Sequence, residues 1–266
     1  MKPIPNYKFL IPYALHLADN ALILAQRNSE WCGHGPVLEQ DIAITNISLD
    51  LLGQARNFYQ YAAELINQST NQPVNPTASM VTEDTLAYLR DGRDFKNCLL
   101  VEQINGDWGK TILRQFLFSN YQYLLYQKLQ AGKDEQLAAI AAKALKEVTY
   151  HLRWSSEWVI RLGDGTEDSH QRMVNAVSEL WPYVDELFIH ADYEAALVDD
   201  NIAVDVASLQ EQWNKKIKEV LAEAKLETPK NIFAQKGGKQ GIHTEKLGYI
   251  LAELQFMQRA YPNSVW

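Results

Sequence analysis

Apolar residues recur at helical spacing over most of the chain, and sustained strand-like alternation is absent. Proline placement supports long helices. No proline lies between Pro36 and Pro73, or between Pro76 and Pro182, and proline damages helix interiors. Glycines supply the breaks instead, at Gly33, Gly35, Gly92, Gly106, Gly109, Gly132, Gly163 and Gly165. The pattern predicts helices over 13–31, 38–67, 83–90, 95–130, 134–162, 166–189, 205–224 and 244–260. A polar loop over 68–76 follows the second, and Gly106 and Gly109 are weak points in the fourth. Thr166 reads as an N-cap, with Glu167 and Asp168 in the first turn, where acids suit the macrodipole.

The helix over 134–162 shows what surrounds it. Leu137, Ala141, Ala144, Leu145, Val148, Leu152 and Val159 form one stripe. Glu147, His151, Trp154 and Trp158 form a second, about 100° away. A helix apolar on more than one side is packed on several sides, so the fold class expected is an all-α bundle of long helices with peripheral helices or a partner around it. No repeat or linker marks a boundary, so one domain over 1–266 is expected.

Composition narrows the function class. The 266 residues are 47% apolar and 22% charged, which suits a sizeable core and excludes a disordered chain. A net charge of −8 argues against nucleic acid or an anionic membrane as the main partner. Two cysteines, Cys32 and Cys98, exclude a disulfide scaffold or a cysteine-built metal site. The run Phe9-Leu10-Ile11 with Leu15 is interrupted by Pro12, His16, Asp19 and Asn20, and makes no leader. No stretch reaches the roughly 18 apolar residues of a membrane span, so a cytoplasmic location is expected. Aromatic residues make up 11%, with seven tryptophans, and need either a deep core or a partner surface.

Acids and histidines on long helices raise the question of a carboxylate-bridged di-iron centre. Such a centre takes a Glu from each of two helices and a Glu-x-x-His pair from each of two others. One pair with that spacing occurs, Glu167-Asp168-Ser169-His170, at a predicted helix start, where first-turn acids and an exposed histidine account for it. In Glu147-Val148-Thr149-Tyr150-His151 the histidine comes four residues on, and a buried hydrogen-bonded Glu147–His151 pair is the expectation. Cys32, in Trp31-Cys32-Gly33-His34-Gly35, reads as a structural cysteine at a helix stop. Gly163-Asp164-Gly165-Thr166 reads as a helix-to-helix turn. The stretch Gln235-Lys236-Gly237-Gly238-Lys239-Gln240-Gly241 reads as a flexible, solvated basic loop. Its backbone amides, with Lys236 and Lys239, are candidates for contact with a phosphate or an acidic partner.

Several blocks together carry a resemblance. They are Ala18-Asp19-Asn20-Ala21-Leu22, Ser29-Glu30-Trp31-Cys32-Gly33-His34-Gly35-Pro36, Leu49-Asp50-Leu51-Leu52-Gly53-Gln54-Ala55-Arg56 and Glu102-Gln103-Ile104-Asn105-Gly106-Asp107. To these add Arg114-Gln115-Phe116-Leu117-Phe118-Ser119, Lys146-Glu147-Val148-Thr149-Tyr150-His151, Arg161-Leu162-Gly163-Asp164-Gly165-Thr166-Glu167 and Gly237-Gly238-Lys239-Gln240-Gly241. The chain resembles, over nearly its whole length, the C-subunit family of the bacterial phenylacetyl-CoA 1,2-epoxidase, a multicomponent monooxygenase of phenylacetate degradation.

The resemblance implies a ferritin-like fold and a non-catalytic role. The family's A subunit holds the di-iron centre, a B subunit is associated, and a reductase subunit delivers electrons from NADPH. No cofactor and no catalytic residue are expected in this chain, and self-association stays open as a further partnership. By spacing and analogy, Asp19, Asp50 with Gly53, Asp107, and Glu147 with Tyr150 stand at degenerate ligand positions. Gly53 and Tyr150 replace the two required histidines. Acids left buried there need partners such as Arg, Tyr or His, and His151 is one candidate. The alternative is a di-iron oxygenase component with an unusual ligand set, and a third reading that the resemblance implies is CoA handling through Lys236 and Lys239.

Overall fold

The computed structural model describes residues 6–69, 80–230, 232–262 and 264. Residues 70–76 of the expected polar loop lie outside these. Eleven α-helices and no strand occur among the described residues. They are α1 (Tyr7–Ser29), α2 (Leu38–Ser69), α3 (Glu83–Tyr88), α4 (Leu99–Glu102), α5 (Trp108–Leu129), α6 (Glu135–Gly163), α7 (Glu167–Leu180), α8 (Asp192–Val198), α9 (Gln210–Glu223), α10 (Glu245–Leu254) and α11 (Phe256–Ala260).

The four long helices build the bundle. A short connection returns α2 along α1, and another returns α6 along α5, so each pair is antiparallel. The pairs join where α2 packs on α6 and through side chains between the C-terminal end of α1 and α5. At the second junction Asn28 donates to the Gln115 Oε1 at 2.7 Å and the Trp31 indole donates to Thr111 at 2.9 Å. This is an all-α, ferritin-like long-helix bundle, with α7 and α9 against the α5–α6 pair and α8 and α10 against α1. One continuous apolar core runs through it, with Ala18, Ala21, Ile47, Phe58, Phe116, Ala141 and Val148 fully buried. Both stripes of α6 are used. Ala144 and Val148 from the first are buried, and so are His151 and Trp154 from the second.

Three departures from the sequence pattern have local causes. The helix expected over 95–130 is two helices, because Gly106 takes φ +62° and the Asp107 carboxylate caps the Lys110 amide at 2.9 Å. The buried Arg114 guanidinium holds the resulting bend by donating to the Gln103 carbonyl and to Asn105 Oδ1. The helix expected over 166–189 stops at Leu180, ahead of Pro182, and continues as two 3₁₀ turns. The first helix starts at Tyr7 and takes Pro12 into its second turn, where one backbone hydrogen bond is lost rather than a whole turn. The short helix α8 falls between predicted elements.

Candidate functional site

Three buried polar clusters occupy the places where chemistry was sought. The first surrounds Asp19 in the middle of α1, which is fully buried. Its carboxylate accepts from Tyr59 Oη on α2 at 2.5 Å and from the Lys96 amide at 2.7 Å. Both of its oxygens also accept from the Arg90 guanidinium, which stacks over the Phe95 ring. Burial and the neighbouring carboxylate push the Tyr59 phenol well up, so it stays a donor. Every lone pair that a metal would need is spent on donors from three segments of chain.

The second lies along the α2–α6 contact. The His151 ring is fully buried and bonds through Nε2 to Asp50 Oδ2 at 2.9 Å, while its Nδ1 has no partner. Glu147 accepts instead from Gln54 Nε2 at 2.9 Å, and Gln54 Oε1 accepts from Gln122 Nε2 at 3.0 Å. The expected Glu147–His151 pair is therefore corrected. Each member bonds across to α2 instead, Glu147 to Gln54 and His151 to Asp50. Gly53 is exposed with open space around it, and Tyr150 is 38% exposed, so neither points into the bundle. Asp107 is a helix cap at the far end of the α4–α5 bend and pairs with Arg172 at 3.6 Å.

The third cluster pins the segment that the sequence pattern presents as flexible. Glu186, buried, accepts from the amides of Leu99, Gly237 and Gly238 at 2.6, 2.7 and 2.7 Å. Lys239 is 1% exposed and spends its ammonium on Glu194, at 2.9 Å, and on the Ile189 carbonyl, also at 2.9 Å. Glu194 is held below the usual carboxylate range by Lys239 and His16 against the opposing effect of burial. A side chain on Gly241, at φ +82°, would collide with the Arg93 carbonyl. Residues 237–241 are thus a close-packed strap. Lys239 as a contact for CoA is corrected, since its charge is already answered inside the protein. Lys236 is exposed.

The remaining sequence candidates keep structural places. His170 bonds the Gly163 carbonyl at 2.6 Å, and Thr166 caps α7. Cys32 is exposed, and the His34 ring bonds the Cys32 carbonyl at 3.2 Å. Sequence reasoning missed Glu102, Glu186, Glu194 and His243. For Glu102 a signal existed, an acid closing the apolar run Leu99-Leu100-Val101.

A two-iron carboxylate centre does not fit this donor set. It needs acids and histidines converging from four helices. Asp19 is saturated, Gly53 and Tyr150 bring no nitrogen ligand, and Asp107 faces elsewhere. No three of His, Cys, Asp and Glu are grouped to hold a metal ion among the described residues. Grooves occur on the surface as well. One of about 570 Å³ between α5, α6 and α9 is floored by Leu124, Leu152 and Val220 and rimmed by Arg153, Lys216 and Glu219, with no histidine or cysteine in its lining. No helix among the described residues is long and apolar enough to cross a membrane.

One row of exposed apolar side chains lies on α2. Leu38, Ile42, Leu49 and Leu52 fall on one side of α2 and are 71, 51, 60 and 39% exposed. On the adjoining α6, Tyr150 stands edge-on to the His151 ring at 6.3 Å.

Comparison with known proteins decides the family. The description "phenylacetic acid catabolic protein" matches residues 2–266. The chain belongs to that family. It is also 47% identical, over 257 residues, to the C subunit of the 1,2-phenylacetyl-CoA epoxidase of Escherichia coli (strain K12), covering 97% of this chain and 99% of that protein. Within the phenylacetic acid catabolic family, then, this member is a long-helix bundle whose interior acids are bonded to the protein itself.

Proposed function

We propose that this chain is a non-catalytic subunit of a phenylacetyl-CoA 1,2-epoxidase complex of aerobic phenylacetate catabolism. Its task is to bind and stabilise the di-iron catalytic subunit, alongside a B subunit and a reductase. The observation that carries the reading is the state of Asp19. A carboxylate in the middle of the bundle is saturated by Arg90, Tyr59 and the Lys96 amide, so the chain spends its interior charge on holding itself together. The exposed apolar row on α2 supports the subunit role, because large apolar side chains left facing water along one side of a helix suit a protein partner. The 47% identity to the C subunit of that epoxidase supports the choice of complex.

Iron loading tests the proposal. The purified chain, incubated with ferrous iron without oxygen and desalted, is expected to retain well below one iron per chain. Retention of about two irons per chain, with oxidation of phenylacetyl-CoA when only a reductase is added, would establish the di-iron oxygenase alternative.

A further inference from the structure

His243 lies immediately before Thr244, the N-cap of α10, and both of its ring nitrogens face acceptors. Nδ1 is 2.8 Å from Glu102 Oε2 on α4, and Nε2 is 3.0 Å from the Phe95 carbonyl. A carbonyl can only accept. Glu102 is also committed to accepting. Asn97 Nδ2 donates to Oε2 at 2.9 Å, and the Thr244 amide and hydroxyl both donate to Oε1 at 2.7 Å. Three donors besides His243 thus face one fully buried carboxylate, the surroundings of an acceptor. A neutral imidazole has one N–H and can satisfy only one of its two neighbours, whereas an imidazolium satisfies both.

We propose that His243 is a buried imidazolium that works as a protonation-dependent latch, fastening the C-terminal helices α10 and α11 to the bundle through Glu102 and the Phe95 carbonyl. The latch is placed to act on this unit alone. Helix α10 contributes Leu247, Ile250 and Leu251 to the core and packs on α1, α4 and the 92–94 turn, while α11 has no buried residue. The inference does not depend on the proposed function.

The charged and titratable groups around the latch favour the cation. Glu102 faces it from α4, and Asp19 acts on it from α1, with Arg90 bonded to that aspartate. Lys246 lies on its own helix, and Tyr183, from the turn after α7, is near both Lys246 and Glu102. Burial alone would lower the His243 pKa, but the Glu102 carboxylate and the Phe95 carbonyl raise it above the ordinary 6.5. The sign follows. A raised pKa in the folded protein gives a stabilisation fully present below about pH 6.5 and lost as pH rises through the raised value.

Nitrogen NMR of the imidazole and hydrogen exchange on the full chain test this together. At pH 7 both His243 ring nitrogens should be protonated. Between about pH 6 and pH 9, after correction for intrinsic exchange, protection of the α10 amides should fall by about tenfold for each unit by which the pKa is raised. Protection of α5 should stay level. In His243→Gln, α10 should show reduced protection with that pH dependence removed. A neutral His243 tautomer at pH 7 would overturn the proposal without recourse to any variant. So would an α10 profile that is flat in the native chain, or that keeps its slope in His243→Gln.

Discussion

The Asp19 cluster and the α2–α6 contact are both polar places in one bundle, and they treat charge differently. At Asp19 a buried carboxylate meets a guanidinium, a phenol and a backbone amide, so nothing is left to bind. At the α2–α6 contact Asp50 is 37% exposed at its side chain, and the buried His151 behind it keeps Nδ1 unpartnered. Leu49 and Leu52, near Asp50 in sequence, are exposed on another side of α2. The first arrangement is what stability selects, since a buried ion is tolerated only when paired and bonded. The second leaves apolar and polar surface for something outside the chain. The proposed subunit role predicts that function lies on the outside of this bundle and architecture on its inside.

The largest effect expected on the isolated chain is at the closed cluster. Arg90→Met leaves Asp19 buried without its cation and should lower unfolding free energy by about 3–5 kcal/mol, read from urea denaturation. Next comes assembly. Ile42→Glu with Leu49→Glu should weaken association with the catalytic subunit by about 2 kcal/mol or more, read from the dilution at which the co-expressed complex dissociates. The same pair should shift stability of the isolated chain by no more than about 0.5 kcal/mol, since both side chains already face water. Tyr59→Phe removes one donor from Asp19 while Arg90 and the Lys96 amide remain, a loss of about 1–2 kcal/mol in thermal or urea unfolding. Asp50→Asn should cost about 1 kcal/mol or less, because an amide oxygen can still accept from His151. If Asp50→Asn proved as damaging as Arg90→Met, the contrast between the two regions would collapse. Lys236→Glu should fall within about 0.5 kcal/mol and leave assembly unchanged, in contrast with the buried Lys239 three residues on.

The long helices were readable because their signals are local. Proline-free stretches, Thr166 as a cap, and the two stripes of α6 depend on neighbours within a few residues. The α4–α5 bend was only half readable. Gly106 announced a weak point, but the conformation there is set by Arg114 reaching back to Gln103 and Asn105. The strap over 237–241 was misread for a related reason. Its glycines and lysines look solvated in sequence, and only the fold supplies Glu186 for the amides and Glu194 for Lys239. The partners of the interior acids were foreseen by type, an arginine and a tyrosine for Asp19. Their identities, 71 and 40 residues away along the chain, could not be read from spacing. Likewise, helical period placed Glu147 beside His151, and only the α2–α6 approach separates them.

Co-expression with the catalytic subunit, followed by measurement of complex mass and iron content, tests the central claim most directly. The account predicts a stable complex whose iron is present with the native chain and stays on the catalytic subunit when the two are separated. With Ile42→Glu and Leu49→Glu, the folded chain should elute alone and the catalytic subunit should be lost from the soluble fraction. Iron that remains with this chain after separation, or a catalytic subunit equally soluble and active without it, would contradict the account.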